Sequence, residues 1–280
     1  MTKALSLQDK SRNVRGLIDQ CRGQIAMALP KHLTPDRMIR VCNTAIQKTP
    51  ALLDCDPRSL IGAIVQCSQL GLEPDGVLGH AYLIPFNNRK TGRSEVQFIA
   101  GYKGLIELAR RSGQISTIYA AIVSANDAWD FQYGLEPTLT HRPTSGEPGE
   151  IVAAYAVCRL RDGGAQFEWL WKREIEAIRA QSRSGNSGPW VTHWAEMAKK
   201  TALRRLCKLL PTSPELARAV ALDEHADGAQ GQDLALMAPD HIRGDDPAEV
   251  IEPERGDADD SLPAGVADAV ERMKAGAAKG

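Results

Sequence analysis

The feature that most constrains this chain is a change of hydrophobic period near residue 71. Before it, apolar residues recur three and four apart. After it, they alternate or run continuously between polar turns. Leu17, Ile18, Cys21 and Ile25 trace one helical stripe, and Met38, Ile39, Cys42, Ala45 and Ile46 another. Thr34-Pro35 and Asp56-Pro57 are helix-start signals, a capping side chain followed by proline at the first helical position. The second start opens a stripe of Leu60, Ile61, Ile64, Val65 and Leu70 that Gly71 stops.

Beyond it, "HAYLIPF" (His80 to Phe86) and "EVQFIA" (Glu95 to Ala100) read as strands joined by the polar turn "NNRKTGRS". Pro85 marks the first as an edge or bulged strand. "GYKGLIELARRSG" returns to helix and ends at Gly113. Strand-like runs follow at 115–123, 128–133, 138–141, 151–160 and 166–170, then a helix at 172–181 and a small-residue loop, "SRSGNSGP". A long helix is expected over 190–210, ended by Pro211. Helices, then strands, then helices imply an α+β body: N-terminal helices, a central antiparallel-rich sheet with a basic hairpin, and a long basic helix. The expected divisions are a helical lead-in (1–28), a core (29–225) and an acidic, largely disordered tail (226–280), with a short helix possible at 264–275.

Charge divides the same way. The whole chain sums to -1, yet residues 223–280 hold 15 Asp+Glu against 5 Lys+Arg. The remainder is therefore basic, which suits a polyanionic partner. The densest basic stretch is "EMAKKTALRRLCKLLP" (196–211). On a helical wheel, Ala195, Ala198, Ala202, Leu206 and Leu209 share a face, while Lys200, Arg204 and Lys208 share the opposite one. Lys199 and Arg205 flank the apolar stripe, which suits them to other work. Like charges at i,i+4 repel, so the stripe is expected to await an external anion such as phosphate; a solvated face is the plainer alternative.

Three further cationic features stand out. Arg89, Lys90 and Arg93 crowd the hairpin tip, where they could contact phosphate or guard a sheet edge. Lys103 lies between Gly101 and Gly104, which would let a backbone or an anion approach a helix N-terminus. Arg110 and Arg111 end that helix, where cations also complement the dipole. Tyr82 and Tyr102 near the hairpin could stack bases; core packing is the other reading.

Several classes of chemistry lack their signatures. There is no GxxxxGK[ST], GxGxxG or HExxH motif. The six cysteines are scattered, without zinc spacing, so no metal or cofactor is expected and a reduced, cytoplasmic setting is. No stretch approaches the roughly 20 apolar residues of a membrane span. The enzymatic alternative is a metal-dependent nuclease whose carboxylates, such as Asp127, Asp130 and Glu168, meet only in the fold. A protein-interaction scaffold is a third reading.

"LLDCDPRSLIGAIVQCSQLGLEP", "GHAYLIPF", "GYKGLIELARRSG", "GPW" and "EMAKKTALRRLCKLLP", in this order, resemble the RecT family of phage and prophage single-strand annealing recombinases. The resemblance spans roughly 29–223. It implies a non-enzymatic, ATP-independent protein of the bacterial host cytoplasm that binds single-stranded DNA and nascent duplex. It also implies helical or ring-shaped homo-oligomers, with a phage exonuclease and a host single-strand-binding protein as possible partners. DNA would lie in a basic groove, contacted at its backbone. By motif, the matching positions are Lys103, the hairpin tip and the cations from Lys199 to Lys208.

Overall fold

A computed structural model describes residues 6–242 except Asp75 and Thr212. The described residues begin with two successive helices, α1 (Leu7–Gln20) and α2 (Arg22–Ala28), separated by a break at Cys21. They bury Val14, Leu17, Ile18, Cys21 and Ile25 against α3 (Pro35–Lys48) and α4 (Pro57–Leu70). Asp56 caps α4 as its sequence promises, accepting from the Ser59 N–H at 2.8 Å. Thr34 occupies the corresponding position of α3, but its hydroxyl makes no capping bond. Helix α4 is buried around most of its circumference, and Gly71 ends it in the left-handed region at φ 59°.

The strands form three small antiparallel sheets, where one central sheet is expected from sequence. β1 (Ala81–Asn88) and β2 (Arg93–Ala100) are a hairpin in unbroken register. Pro85 faces Val96 without a bulge, on a strand with no second neighbour. Helix α5 (Tyr102–Arg111) follows. β3 (Ile115–Ser124), β6 (Ile151–Leu160) and β7 (Ala165–Trp171) make a three-stranded sheet in that spatial order. β4 (Ala128–Gln132) and β5 (Thr138–Arg142) form a separate ribbon.

The ribbon covers one face of the three-stranded sheet. Phe131 stacks on Trp169 with ring centroids 4.5 Å apart, and Tyr133 stacks on Phe167 at 4.8 Å. Val123, Ala153 and Tyr155 complete this core. The other face carries α8 (Trp194–Cys207). Before α8 come α6 (Lys172–Gln181) and a single turn, α7 (Pro189–Thr192). The long helix expected over 190–210 is thus broken at His193, whose φ and ψ of -141° and 49° are not helical.

Helix α9 (Pro214–Asp227) has no counterpart in the sequence reading. Nor does the body stop at 225. Residues 228–242 lie across β2 and α4, with Gln232, Leu234 and Ile242 buried. The Gln232 amide accepts from the Phe98 N–H at 2.7 Å and donates to the Phe98 and Leu222 carbonyls at 2.8 and 2.7 Å. Arg58 donates to the Ile242 carbonyl at 2.9 Å. The remaining tail, including the helix expected at 264–275, lies outside the described residues. No described helix is long and apolar enough to cross a membrane.

Candidate nucleic-acid interface

The basic stretch behaves differently from its wheel. Helix α8 is central: the sheet covers one side, α9 another and α5 a third. Ala198, Ala202, Leu203, Leu206 and Cys207 are buried, whereas Leu209 is 56% exposed. Lys200 and Arg204 are each only 9% exposed, and both meet Asp223, itself 1% exposed. Lys200 Nζ lies 2.7 Å from Asp223 Oδ1, and Arg204 Nη1 2.9 Å from Asp223 Oδ2. Arg204 also pairs with Asp227, and Lys208 with Glu224.

The missing anion is therefore not outside the chain. It is the acidic side of α9, whose carboxylates at 223, 224 and 227 recur with helical spacing. Two carboxylates hold the Arg204 guanidinium charged, raising its pKa against the burial that would lower it. The two flanking cations, expected to do other work, are more accessible than Lys200 and Arg204, as is Lys208 at the end of the stripe. Lys199 sits 2.5 Å from Glu196 and 5.8 Å from the centre of the Tyr102 ring. Arg205 is half-exposed and 3.6 Å from Glu168.

A second cationic group is also occupied. Arg111 donates to the Leu70 carbonyl at 2.6 Å and the Gly71 carbonyl at 2.8 Å, closing the C-terminus of α4. Arg110, one residue earlier, is exposed.

The residues that do gather lie at the start of α5. The Tyr82 ring passes beside Gly79 and Gly101, the Lys103 side chain lies beside Gly79, and Lys199 approaches Tyr102 from α8. Gly101 admits a close approach, but of backbone: an added Cβ would fall 1.9 Å from the Gly79 carbonyl oxygen. Gly104 does the same for His80. These glycines hold the strand entry onto the helix start, which leaves Lys103 exposed on its first turn.

From Tyr82 one face of β1 continues through Ile84 and Phe86, since alternate residues share a face. Tyr82 is 41% and Ile84 37% exposed. The Arg183 guanidinium covers Phe86, 4.8 Å from the ring centre. Arg183 is absent from the sequence reading; an arginine in the "SRSGNSGP" loop was the available signal, but nothing local shows what the loop packs on. At the far end, Arg89, Lys90 and Arg93 are exposed. The turn that carries them is fixed by Asn88, which accepts from the Lys90 N–H at 2.9 Å and donates to Glu95 at 2.9 Å.

The three carboxylates of the nuclease alternative do not converge. Asp127 accepts from the Ser124 and Thr144 N–H groups at 2.7 and 2.9 Å and contacts His141 Nε2 at 3.2 Å. Asp130 is exposed on the outer face of β4. Glu168 alternates with the ribbon-facing Phe167 and Trp169 and contacts Arg205 on the α8 side. No group of three or more potential metal-ligating side chains occurs among the described residues.

A RecT family model matches residues 36–234, which takes in α9 and the Gln232 segment. "Protein RecT" of Escherichia coli (strain K12) is 53% identical over 219 residues, covering 77% of this chain and 81% of that protein. "Uncharacterized protein YqaK" of Bacillus subtilis (strain 168) is 27% identical over 166 residues, 59% of this chain and 56% of that protein. With a match over most of its described body and this identity to a relative it largely spans, the chain belongs to the RecT family of single-strand annealing recombinases.

Proposed function

We propose that this protein binds single-stranded DNA along the exposed face of β1, from the start of α5 to the hairpin tip. The observation that carries the reading is the cluster of Tyr82, Tyr102, Lys103 and Lys199, continued by Arg183 toward Arg89, Lys90 and Arg93. The seven residues of strand from Tyr82 to Asn88 span about 20 Å, the axial rise of about six nucleotides of one strand in a duplex. The first turn of α5 adds unpaired backbone N–H groups and a positive dipole end beside Lys103.

Chemically, such a track neutralises phosphates and releases their counterions, so binding is salt-dependent and indifferent to sequence. Tyrosine faces accept any base. A strand held extended, with its base edges accessible, has less entropy to lose when its complement arrives. Pairing then supplies about 1.4 kcal/mol per base-pair step, so annealing needs no nucleotide hydrolysis. Arg205 and Lys208 extend the surface, because half-exposed ion pairs contribute only about 0–1 kcal/mol and can exchange their carboxylates for phosphates. Lys200, Arg204 and Arg111 serve the fold, and Arg110 is a peripheral contact. Homo-oligomers form on the bound DNA, and an exonuclease that generates single strands is the fitting upstream partner.

Fluorescence anisotropy with labelled homopolymer oligonucleotides tests the track. Replacing Arg89 and Lys90 together by Ala should weaken binding to all sequences alike. It should also flatten the log–log salt slope by about 1.4, at ~0.7 per phosphate contact. Lys103→Ala should act in the same direction. Unchanged affinity and slope in both variants, with folding intact, would sink the assignment.

A further inference from the structure

The loop that leads into β1 presents two apolar side chains in a cationic neighbourhood. Val77 is 76% exposed and Leu78 40%. Single exposed apolar residues are ordinary, and Met27, Leu135 and Leu236 are exposed too. Val77 and Leu78 differ in how their backbone is held and in what lies beside them.

The loop doubles back between Gly76 and Gly79, whose φ values of 71° and 69° are left-handed. It is then pinned to the start of α5. The Gly101 N–H donates to the His80 carbonyl at 2.9 Å. A Cβ at Gly101 would lie 1.9 Å from the Gly79 carbonyl oxygen, and one at Gly104 2.1 Å from that of His80. Only glycine at both helix positions lets the loop come this close. The Tyr82 ring braces the turn from the β1 side: a Cβ at Gly76, Gly79 or Gly101 would meet it at 3.8, 3.4 or 3.3 Å. The Lys103 side chain would meet a Cβ at Gly79 at 3.6 Å. Val77 and Leu78 thus stand on a supported turn, beside an aromatic ring and beside a lysine in the first turn of a helix.

This place is the α5 end of the DNA track proposed above, and the inference rests on that reading. A phosphate held by Lys103 and the first N–H groups of α5 brings its base to the loop. Tyr82 gives one base a face to stack on. The neighbouring base meets Val77 and Leu78 instead, whose branched side chains offer apolar contact but no flat surface. Apolar side chains so placed in nucleic-acid-binding proteins enter between bases and unstack them. We propose that Val77 and Leu78 are a wedge that opens one base step of the bound strand at the α5 end of the track. A strand opened there cannot keep a continuous stack on itself, which leaves its bases ready for a complement. The wedge reads no sequence, because it touches base faces and not their hydrogen-bonding edges.

A fluorescent adenine analogue that is quenched by stacking and brightens when unstacked tests the wedge. The full chain is saturated with an oligo-dA that carries one such base. The wild-type complex should be brighter than the free strand, and Val77→Ser/Leu78→Ser should lose most of that gain at equal saturation. Its salt slope should stay at the wild-type value, because no cation is removed. Val77→Ile/Leu78→Met, which keeps the apolar bulk, should retain the gain, and circular dichroism should show both variants folded. Equal brightness in the serine variant and the wild type overturns the proposal, as does equal loss in both double variants. Lys103→Ala separates the wedge from the track. Weakened binding there, with undiminished brightness in the serine variant, rejects the wedge alone. Unchanged affinity in Lys103→Ala and in the Arg89 and Lys90 double variant removes the track, and the wedge with it.

Discussion

Asp223 shows why a single carboxylate matters more here than five cations. It is buried between Lys200 and Arg204, and removing it strands Lys200 in a desolvated site and leaves Arg204 with Asp227 alone. Breaking a buried pair costs about 3–5 kcal/mol, because the remaining charge is uncompensated. Asp223→Ala should therefore lower the unfolding free energy by that amount in denaturant titration. Lys208→Ala, at an exposed pair, should change it by less than about 1 kcal/mol. Asp127 makes a pH-dependent contribution. Backbone N–H groups of Thr144 and Ser124, then His141, lower its pKa. A group whose folded pKa is depressed stabilises above its unfolded value, about 3.9, and that stability is lost as pH falls through the folded pKa. Acid unfolding of Asp127→Asn should accordingly show a shallower pH dependence below about pH 4. The buried thiols are inert by the same reasoning: burial raises the Cys42 and Cys207 pKa values to about 12. All six cysteines are buried and unbridged, so a thiol reagent at pH 8 should find none until the protein unfolds.

Elements were legible where their signals are local. The Asp56-Pro57 start, the Gly71 stop, the hairpin and the 172–181 helix all appear within a residue or two of their sequence limits. α9 was not legible, because its apolar residues do not form one clean stripe and its acids resemble the start of a charged tail. The 228–242 segment was hidden for a related reason. Its anchors are one glutamine and a few backbone contacts, including the Leu234 carbonyl seated on Gly62 of α4. A Cβ at Gly62 would lie 1.8 Å from that oxygen, so Gly62→Ala should push the segment off and lower the melting temperature. Any test of the acidic tail has to cut the chain after residue 242. A cut after Asp223 would also remove Asp227 and Gln232, and should unfold the body, as circular dichroism would report.

Across the whole molecule, sequence alone established the α+β class, the basic body with its acidic end, and the family resemblance. These follow from local periodicity, capping chemistry and summed charge, none of which needs long-range information. The candidate site was half visible: Lys103, Tyr82, Tyr102 and the hairpin tip could be named, but not which cations remain accessible to DNA. Only the tertiary structure decided that, because the deciding partners are distant along the chain. Asp223 lies 23 residues from Lys200, and Gln232 lies 134 from Phe98. A helical wheel shows which side chains share a face; it cannot show that a second helix brings counter-charges to that face. Packing α9 against α8 turned a stripe that looked ready for phosphate into an ion-pair network, buried at Lys200 and Arg204.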